Sequence, residues 1–447
     1  MKDLTQGKER NVIIKFAAPM LLGNLFQQTY NIFDSIIVGR LIGDEALAAV
    51  GASFPIIFAL ISFVIGIASA GTIIISQYYG AKDYNKVRKS IDTIFIFIFI
   101  SSLVIMMVGI GFGEKIFEIT KLPPEVIPQA TIYLRTFLMG TILLFGFNGI
   151  GSILRGVGDS KTPVYFQVFA AILNILLDIL FIKYLHMGIR GAALATVIAQ
   201  GSAFIAAIVY LNKTHKLVRI NITSFNFDKE IFRHCVRIGL PSGLQQTFVA
   251  LGMIALYRIV NNYGTNVIAA YSVAGRIDGL AMIPSMILGQ ALSTFVGQNI
   301  GAGKTERVKR GLTATLSVSV VISVLVTLIV VFFRRGFMFL FTKSPEVAAI
   351  GEGYLIIVSS CYVIFSIMFA LNGVMRGAGD TLIPMFITLL SLWAIRVPFA
   401  AMLSTRYDET GIWMSVPIAW GAGAILSYIY YRTGNWKKKT IIKPVAP

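Results

Sequence analysis

The chain is poor in what a soluble enzyme uses: 13% of its 447 residues are charged, with three histidines and two cysteines. Cys235 and Cys361 fall on different hydrophobic segments, so two buried thiols are expected rather than a disulfide. His186, His215 and His234 stand alone at segment ends. No HExxH, CxxC, GxxxxGK[ST] or nucleophile elbow occurs, which leaves a metalloenzyme and an ATP-driven pump without support. Nor is there a charged loop large enough for an enzyme that works on a lipid-linked sugar. Acidic residues are scarce too, 21 against 39 basic ones, a formal charge of +18.

What is abundant is apolar: 56% hydrophobic residues and a mean hydropathy of +0.77 exceed what a soluble core of this length could hide. Continuous apolar runs of about 20 residues suit helices crossing a hydrocarbon layer of about 30 Å, since each helix satisfies its own backbone. Twelve spans are expected near 13–38, 46–78, 91–112, 127–151, 162–182, 190–211, 233–262, 267–298, 312–333, 347–373, 382–403 and 411–431. The N-terminus is polar and the first apolar run is too long for a signal peptide.

The basic excess follows the loops. Lys2, Lys8, Arg10 and Lys15 precede span one, and Lys82, Lys86, Arg88 and Lys89 follow span two. Further clusters lie between spans six and seven (Lys213, Lys216, Arg219, Lys229), after span eight (Lys304, Arg307, Lys309, Arg310) and in the tail (Lys437, Lys438, Lys439, Lys443). Alternate loops carry fewer, among them Lys115, Lys121 and Arg190. The charge is therefore topological, placing both termini in the cytoplasm, and no nucleic-acid partner is implied.

The chain is also written twice. QYYGAKDYNKVRK at 77–89 returns as QNIGAGKTERVKR at 298–310, and LRGVGDSKTP at 154–163 returns as MRGAGDTLIP at 375–384. Gln77 and Gln298, Arg155 and Arg376, Gly158 and Gly379, and Gly43 and Gly264 are each 221 positions apart. Two motifs at one offset define a duplicated unit of six spans. An even span count starts both copies from the same membrane face, giving parallel repeats about an axis along the membrane normal. The expected fold is all-α: an N-lobe at 1–211, a connector at 212–232, a C-lobe at 233–433 and a basic tail at 434–447.

Pro19 followed by Asp34, the paired RGxGD[ST]xxP segments, AGRIDGLAMIPSM at 274–286 and QNIGAG at 298–303 resemble the multidrug and toxic compound extrusion (MATE) family over nearly the whole chain. The resemblance implies a secondary antiporter in the plasma (inner) membrane, not an enzyme and without a cofactor. It would work as a monomer, exporting lipophilic, often cationic small molecules in exchange for protons or sodium ions. It further implies an ion-responsive cluster of Tyr30 and Asp34 on helix one, Asn174 and Asp178 on helix five and Thr196 on helix six. Sodium could be held there by Asp34, Asn174, Asp178 and Thr196. A lipid or lipid-linked oligosaccharide flippase of the same superfamily is the alternative, though anionic headgroups would call for cationic residues where the first lobe offers aspartates.

The residues support the cluster independently. Carboxylates within lipid are costly unless they face a cavity, a partner or an ion. Tyr30 and Asn174 each precede an aspartate by four residues, on the same helical face. The repeat maps Asp34, Asn174 and Asp178 onto Ala255, Ile395 and Phe399, so the sister unit is built without the acids. The other acid pattern of the family is missing: helix seven has Gln245 and Gln246, and helix ten has only Glu352 near an end. Gln27, Asn31 and Asn148, with Gln28 and Gln200, are candidates to line the first lobe or to bridge its helices. Asp278 has two readings, an ion pair with Arg396 or a substrate contact.

Overall fold

A computed structural model describes residues 2–119, 122–215, 217–220 and 226–442. Lys121, Lys216 and Lys443 of the basic pattern, and parts of the connector and tail, lie outside them.

The first six spans are α1 (Glu9–Leu41), α2 (Asp44–Gly80), α3 (Tyr84–Ile119), the pair α4 (Ile127–Met139) and α5 (Thr141–Gly156), α6 (Thr162–Asp178) and α7 (Gly188–Thr214). The second six are α8 (Lys229–Val260), α9 (Thr265–Gly301), α10 (Thr305–Phe339), the pair α11 (Pro345–Ser359) and α12 (Tyr362–Gly377), α13 (Leu382–Leu389) running into α14 (Val397–Thr433), and the far part of α14. That last helix is two spans. Tyr407 and Asp408 leave helical geometry, Asp408 with φ 48° and ψ −140°, and break the run near its middle.

The duplication reappears in the backbone. Both ends of α9 lie 221 residues after those of α2, and α10 begins 221 residues after α3. The turn closing α2 uses Ala81 N to Gln77 O, Lys82 N to Tyr79 O and Asp83 N to Tyr78 O, while that closing α9 uses Ala302, Gly303 and Lys304 N–H groups on Gln298, Ile300 and Asn299. Gly158 and Gly379 sit at φ 82° and 93° in the two RGxGD turns, where a Cβ would be strained.

Two spans differ from expectation. Residues 127–151 and 347–373 were expected as continuous helices, but α4 and α5 meet at 53° and α11 and α12 at 48°. At the first bend Gly140 lies so close to Val197 of α7 that a Cβ would collide with that side chain. Hydropathy does not register such a bend, because the residues on both sides of it are equally apolar. The faces of α10 show the solvent for which these helices are made: Val321, Val324, Leu325, Leu328, Ile329 and Phe332 are exposed along one stripe. A stripe of that size suits lipid and would be an aggregation site in water.

By contacts the chain forms two units, one of Met1–Asp3 with Ala18–Gly243, the other of Leu4–Ala17 with Leu244–Pro447. The lobes read from the sequence began at 1 and 233. In contacts, the starts of α1 and α8 each go with the other unit's helices. In the first unit α2 and α8 touch through Gly66, Gly239 and Gly243, where a Cβ on Gly66 would strike the backbone of the other two. The second unit is built around Trp413, stacked on Tyr271 (ring centroids 5.4 Å, planes 5° apart) and met edge-on by Tyr354 at 5.0 Å. Cys235 and Cys361 are free thiols; Cys235 is buried as expected, whereas Cys361, at the bend between α11 and α12, is partly exposed.

Candidate ion-coupling site

In the first unit the structure brings together all five residues of the expected cluster. Asp178 ends α6, and Asn174 lies one helical turn before it; both are buried. In the amide orientation that satisfies its neighbours, Asn174 donates to Asp178 Oδ2 at 2.8 Å and its oxygen accepts from Thr196 N at 3.1 Å, with Thr196 Oγ1 3.2 Å away. Thr196 Oγ1 is also 3.3 Å from Ala192 O, so its single proton serves one acceptor at a time. Tyr30 reaches the Thr196 hydroxyl from α1.

The carboxyl groups of Asp34 and Asp178 lie within hydrogen-bonding reach of each other. On each, Oδ1 is buried and has no donor. Two carboxylates in that arrangement repel, and a buried acceptor without a donor is expensive. One proton between them, or one small cation, removes both costs. The donor set is all oxygen, which suits a proton or a hard cation such as sodium and not a soft metal. Among the described residues, no group of three or more His, Cys, Asp or Glu side chains forms a metal cluster.

Two features of this site escaped the sequence reading. Tyr133, from the bent span, is buried in the neighbourhood of Asp34, Tyr30 and Asp178. After Asp178 the helix widens into a π-helix over Ile179–Tyr184, a form that recurs at functional positions because it displaces the backbone hydrogen bonds of one turn. The repeat could have pointed to Tyr133: its counterpart 221 residues later is Tyr354, whose hydroxyl donates to an aspartate.

That aspartate is Asp278, in the second unit. The expected ion pair with Arg396 is not formed; Asp278 Oδ2 accepts instead from the Tyr354 hydroxyl at 3.2 Å, and Arg396 Nε is buried without a partner. Matching charges by depth overlooked the nearer aromatic donor. A second π-helix, Leu390–Arg396, ends at this arginine.

The remaining candidates do not gather at the cluster. Gln27 and Asn31 are on the exposed face of α1, where Asn31 donates to Gln28 at 3.3 Å. Asn148 is exposed on α5 and donates to its own helix at Leu144 O (2.9 Å).

Comparison with known proteins agrees with this architecture. A profile of the MatE family matches residues 19–180 and again 241–402, once in each half of the chain. Probable multidrug resistance protein YpnP of Bacillus subtilis (strain 168) is 35% identical over 444 residues, covering 97% of each chain. YoeA of the same organism, also a probable multidrug resistance protein, is 32% identical over 437 residues, covering 96% of this chain and 94% of its own. A solved structure, the outward-facing conformation of a multidrug resistance MATE family transporter of the MOP superfamily, matches with a TM-score of 0.91 at 25% identity, covering 98% of this chain and 99% of that one. With six spans repeated at one offset, a profile match to each half and relatives aligned almost end to end, this chain belongs to the MatE family of multidrug efflux transporters.

Proposed function

We propose that the protein is a secondary antiporter, exporting lipophilic, often cationic compounds in exchange for protons or sodium ions by alternating access. In this reading it is a monomer of the plasma (inner) membrane with both termini in the cytoplasm. The observation that carries it is the Asp34–Asp178 pair, two facing carboxyl groups, each with a buried oxygen that lacks a donor. A group that must recruit a cation to be satisfied can convert an ion gradient into a change of state, provided that one state binds the ion better than the other.

Roles follow from the contacts. Asp34 and Asp178 take up the ion, Asn174 orients Asp178, and Thr196 and Tyr30 complete the oxygen set. Gln27, Asn31, Asn148 and Asp278 are kept as substrate-lining candidates. Protonating one member of the pair lets the carboxyl groups share a hydrogen bond, while Pro19 gives α1 a bending point below Tyr30 and Asp34.

The test is uptake of a fluorescent lipophilic cation into inverted membrane vesicles, with pH and sodium gradients imposed separately. Asp34→Asn and Asp178→Asn should each lower gradient-driven uptake at least tenfold at equal membrane insertion. Phe399→Leu, at the matching position of the second unit, should stay within twofold of the wild type. Wild-type rates in either aspartate variant would remove the pair from the mechanism.

A further inference from the structure

The last membrane helix ends in a fixed basic turn. α14 closes at Thr433, Gly434 takes φ 70°, and Asn435–Lys439 coil into a short 3-10 turn. Trp436 pins that turn to the helix: its ring stacks on Tyr431 (centroids 5.7 Å, planes 9° apart), its Nε1–H donates to Tyr431 O at 3.0 Å, and it is 2% exposed. Lys437, Lys438 and Lys439 are exposed around this anchor, Lys437 with its ammonium 5.6 Å from the centre of the Trp436 ring. Arg432 is exposed one turn after Tyr428 and donates to its hydroxyl at 3.3 Å. Among the described residues none of these four cations pairs with an acid, and the acids of the neighbourhood are already engaged. Glu306 bonds Lys309 at 2.8 Å, and Asp380, buried, accepts from Tyr430 at 2.6 Å.

The turn stands at the end of a face suited to lipid. Ile425, Tyr428 and Ile429 are each more than half exposed, and Arg432 follows Tyr428 by four residues and Ile425 by seven, so all four share one side of α14. An apolar stripe that ends in a tyrosine hydroxyl and then an arginine follows the polarity of one leaflet, from acyl chain to headgroup.

The repeat supplies a control. Arg432, Lys438 and Lys439 stand 221 positions after Leu211, Leu217 and Val218, and Leu211 and Val218 are fully buried. Past α7 the chain folds inward instead, with Ile220 N–H donating to Asn212 Oδ1 at 2.8 Å. The fold can therefore finish a six-span unit without these cations. Orientation in the membrane asks for positive charge, but not for a docked tryptophan that holds the charge in place.

We propose that Arg432 and Lys437, Lys438 and Lys439 form a binding site for the phosphate headgroup of an anionic phospholipid, whose acyl chains lie along Ile425, Tyr428 and Ile429. The site needs α14 to meet lipid and is independent of the antiport reading. Arg432 offers a planar fork of donors to phosphate oxygens, and the lysines add point charges around it. Because Trp436 already fixes the turn, binding orders less chain than a free basic tail would require.

The test measures lipid binding to the purified full chain in detergent. Phosphatidylglycerol titrated in mixed micelles should raise the melting temperature and phosphatidylcholine should not, and native mass spectrometry should show the first retained in preference to the second. Arg432→Gln, Lys437→Gln, Lys438→Gln and Lys439→Gln combined should weaken phosphatidylglycerol binding at least tenfold. The same loss of charge at Lys2, Lys8, Arg10 and Lys15 should leave it within twofold. If the combined variant does not fold, Lys438→Glu alone, at an exposed position, should weaken binding at least threefold. Equal losses from the two sets would reduce the effect to diffuse charge attraction, and stabilisation by inorganic phosphate equal to that by the lipid would assign the turn to a free anion. Either result overturns the proposal, as would equal retention of the two lipids or wild-type binding in Lys438→Glu.

Discussion

Lys82 is one of three non-glycine residues with positive φ among those described, at 60°, and its counterpart in the repeat is Gly303, at φ 71°. The two turns share one hydrogen-bond pattern, so only the lysine carries the left-handed penalty, about 1–2 kcal/mol, partly offset by the greater chain entropy that a glycine loses on folding. Lys82→Gly should stabilise the protein by about 0.5–1 kcal/mol, and Gly303→Ala should destabilise it by a similar amount. Thermal unfolding of the purified protein in one detergent checks both signs. Tyr133→Phe keeps the buried ring near Asp34 and Asp178 and removes its hydroxyl. It should lower coupled uptake several-fold, less than Asp178→Asn, with the ratio of the two variants measured in the same vesicles.

At the scale of elements, packing of α2 on α8 depends on Gly66, where added atoms meet the backbone of Gly239 and Gly243. Backbone cannot rotate away as a side chain can, so Gly66→Val should cost about 1–3 kcal/mol or more and reduce the folded yield. Gly51, on the same helix with open space around its Cβ position, should accept alanine, and fluorescence-detected size exclusion would compare the two. Much at this scale was legible from the chain. Spans show as long apolar runs, and the repeat shows because turn residues such as Gly158 and Gly379 are constrained by backbone geometry. The bends near Gly140 and Ser360 were not legible, since hydropathy is unchanged through them. The π-helices after Asp178 and before Arg396 have no sequence period of their own. The cluster was readable because acids in lipid are rare and their repeat partners are apolar, whereas Tyr133 and Tyr354 were hidden among the chain's many aromatics.

For the whole molecule, labels on the outer ends of α1 and α6 should report a distance that changes between pH 5 and 8 without sodium, and the change should vanish in Asp34→Asn. An unchanged distance in wild-type protein during proton-driven uptake would remove helix bending from the cycle. The exchange of the first-helix starts also bears on biogenesis. The amide of Leu4 waits for Gln298, 294 residues downstream, which at ordinary synthesis speeds is roughly 15–60 s after it leaves the ribosome. The first unit likewise stays incomplete until the opening of α8 has been made. Neither half is thus a finished module at the ribosome: severed within the connector, the two fragments should assemble only when made together, each bringing the other the helix start it lacks.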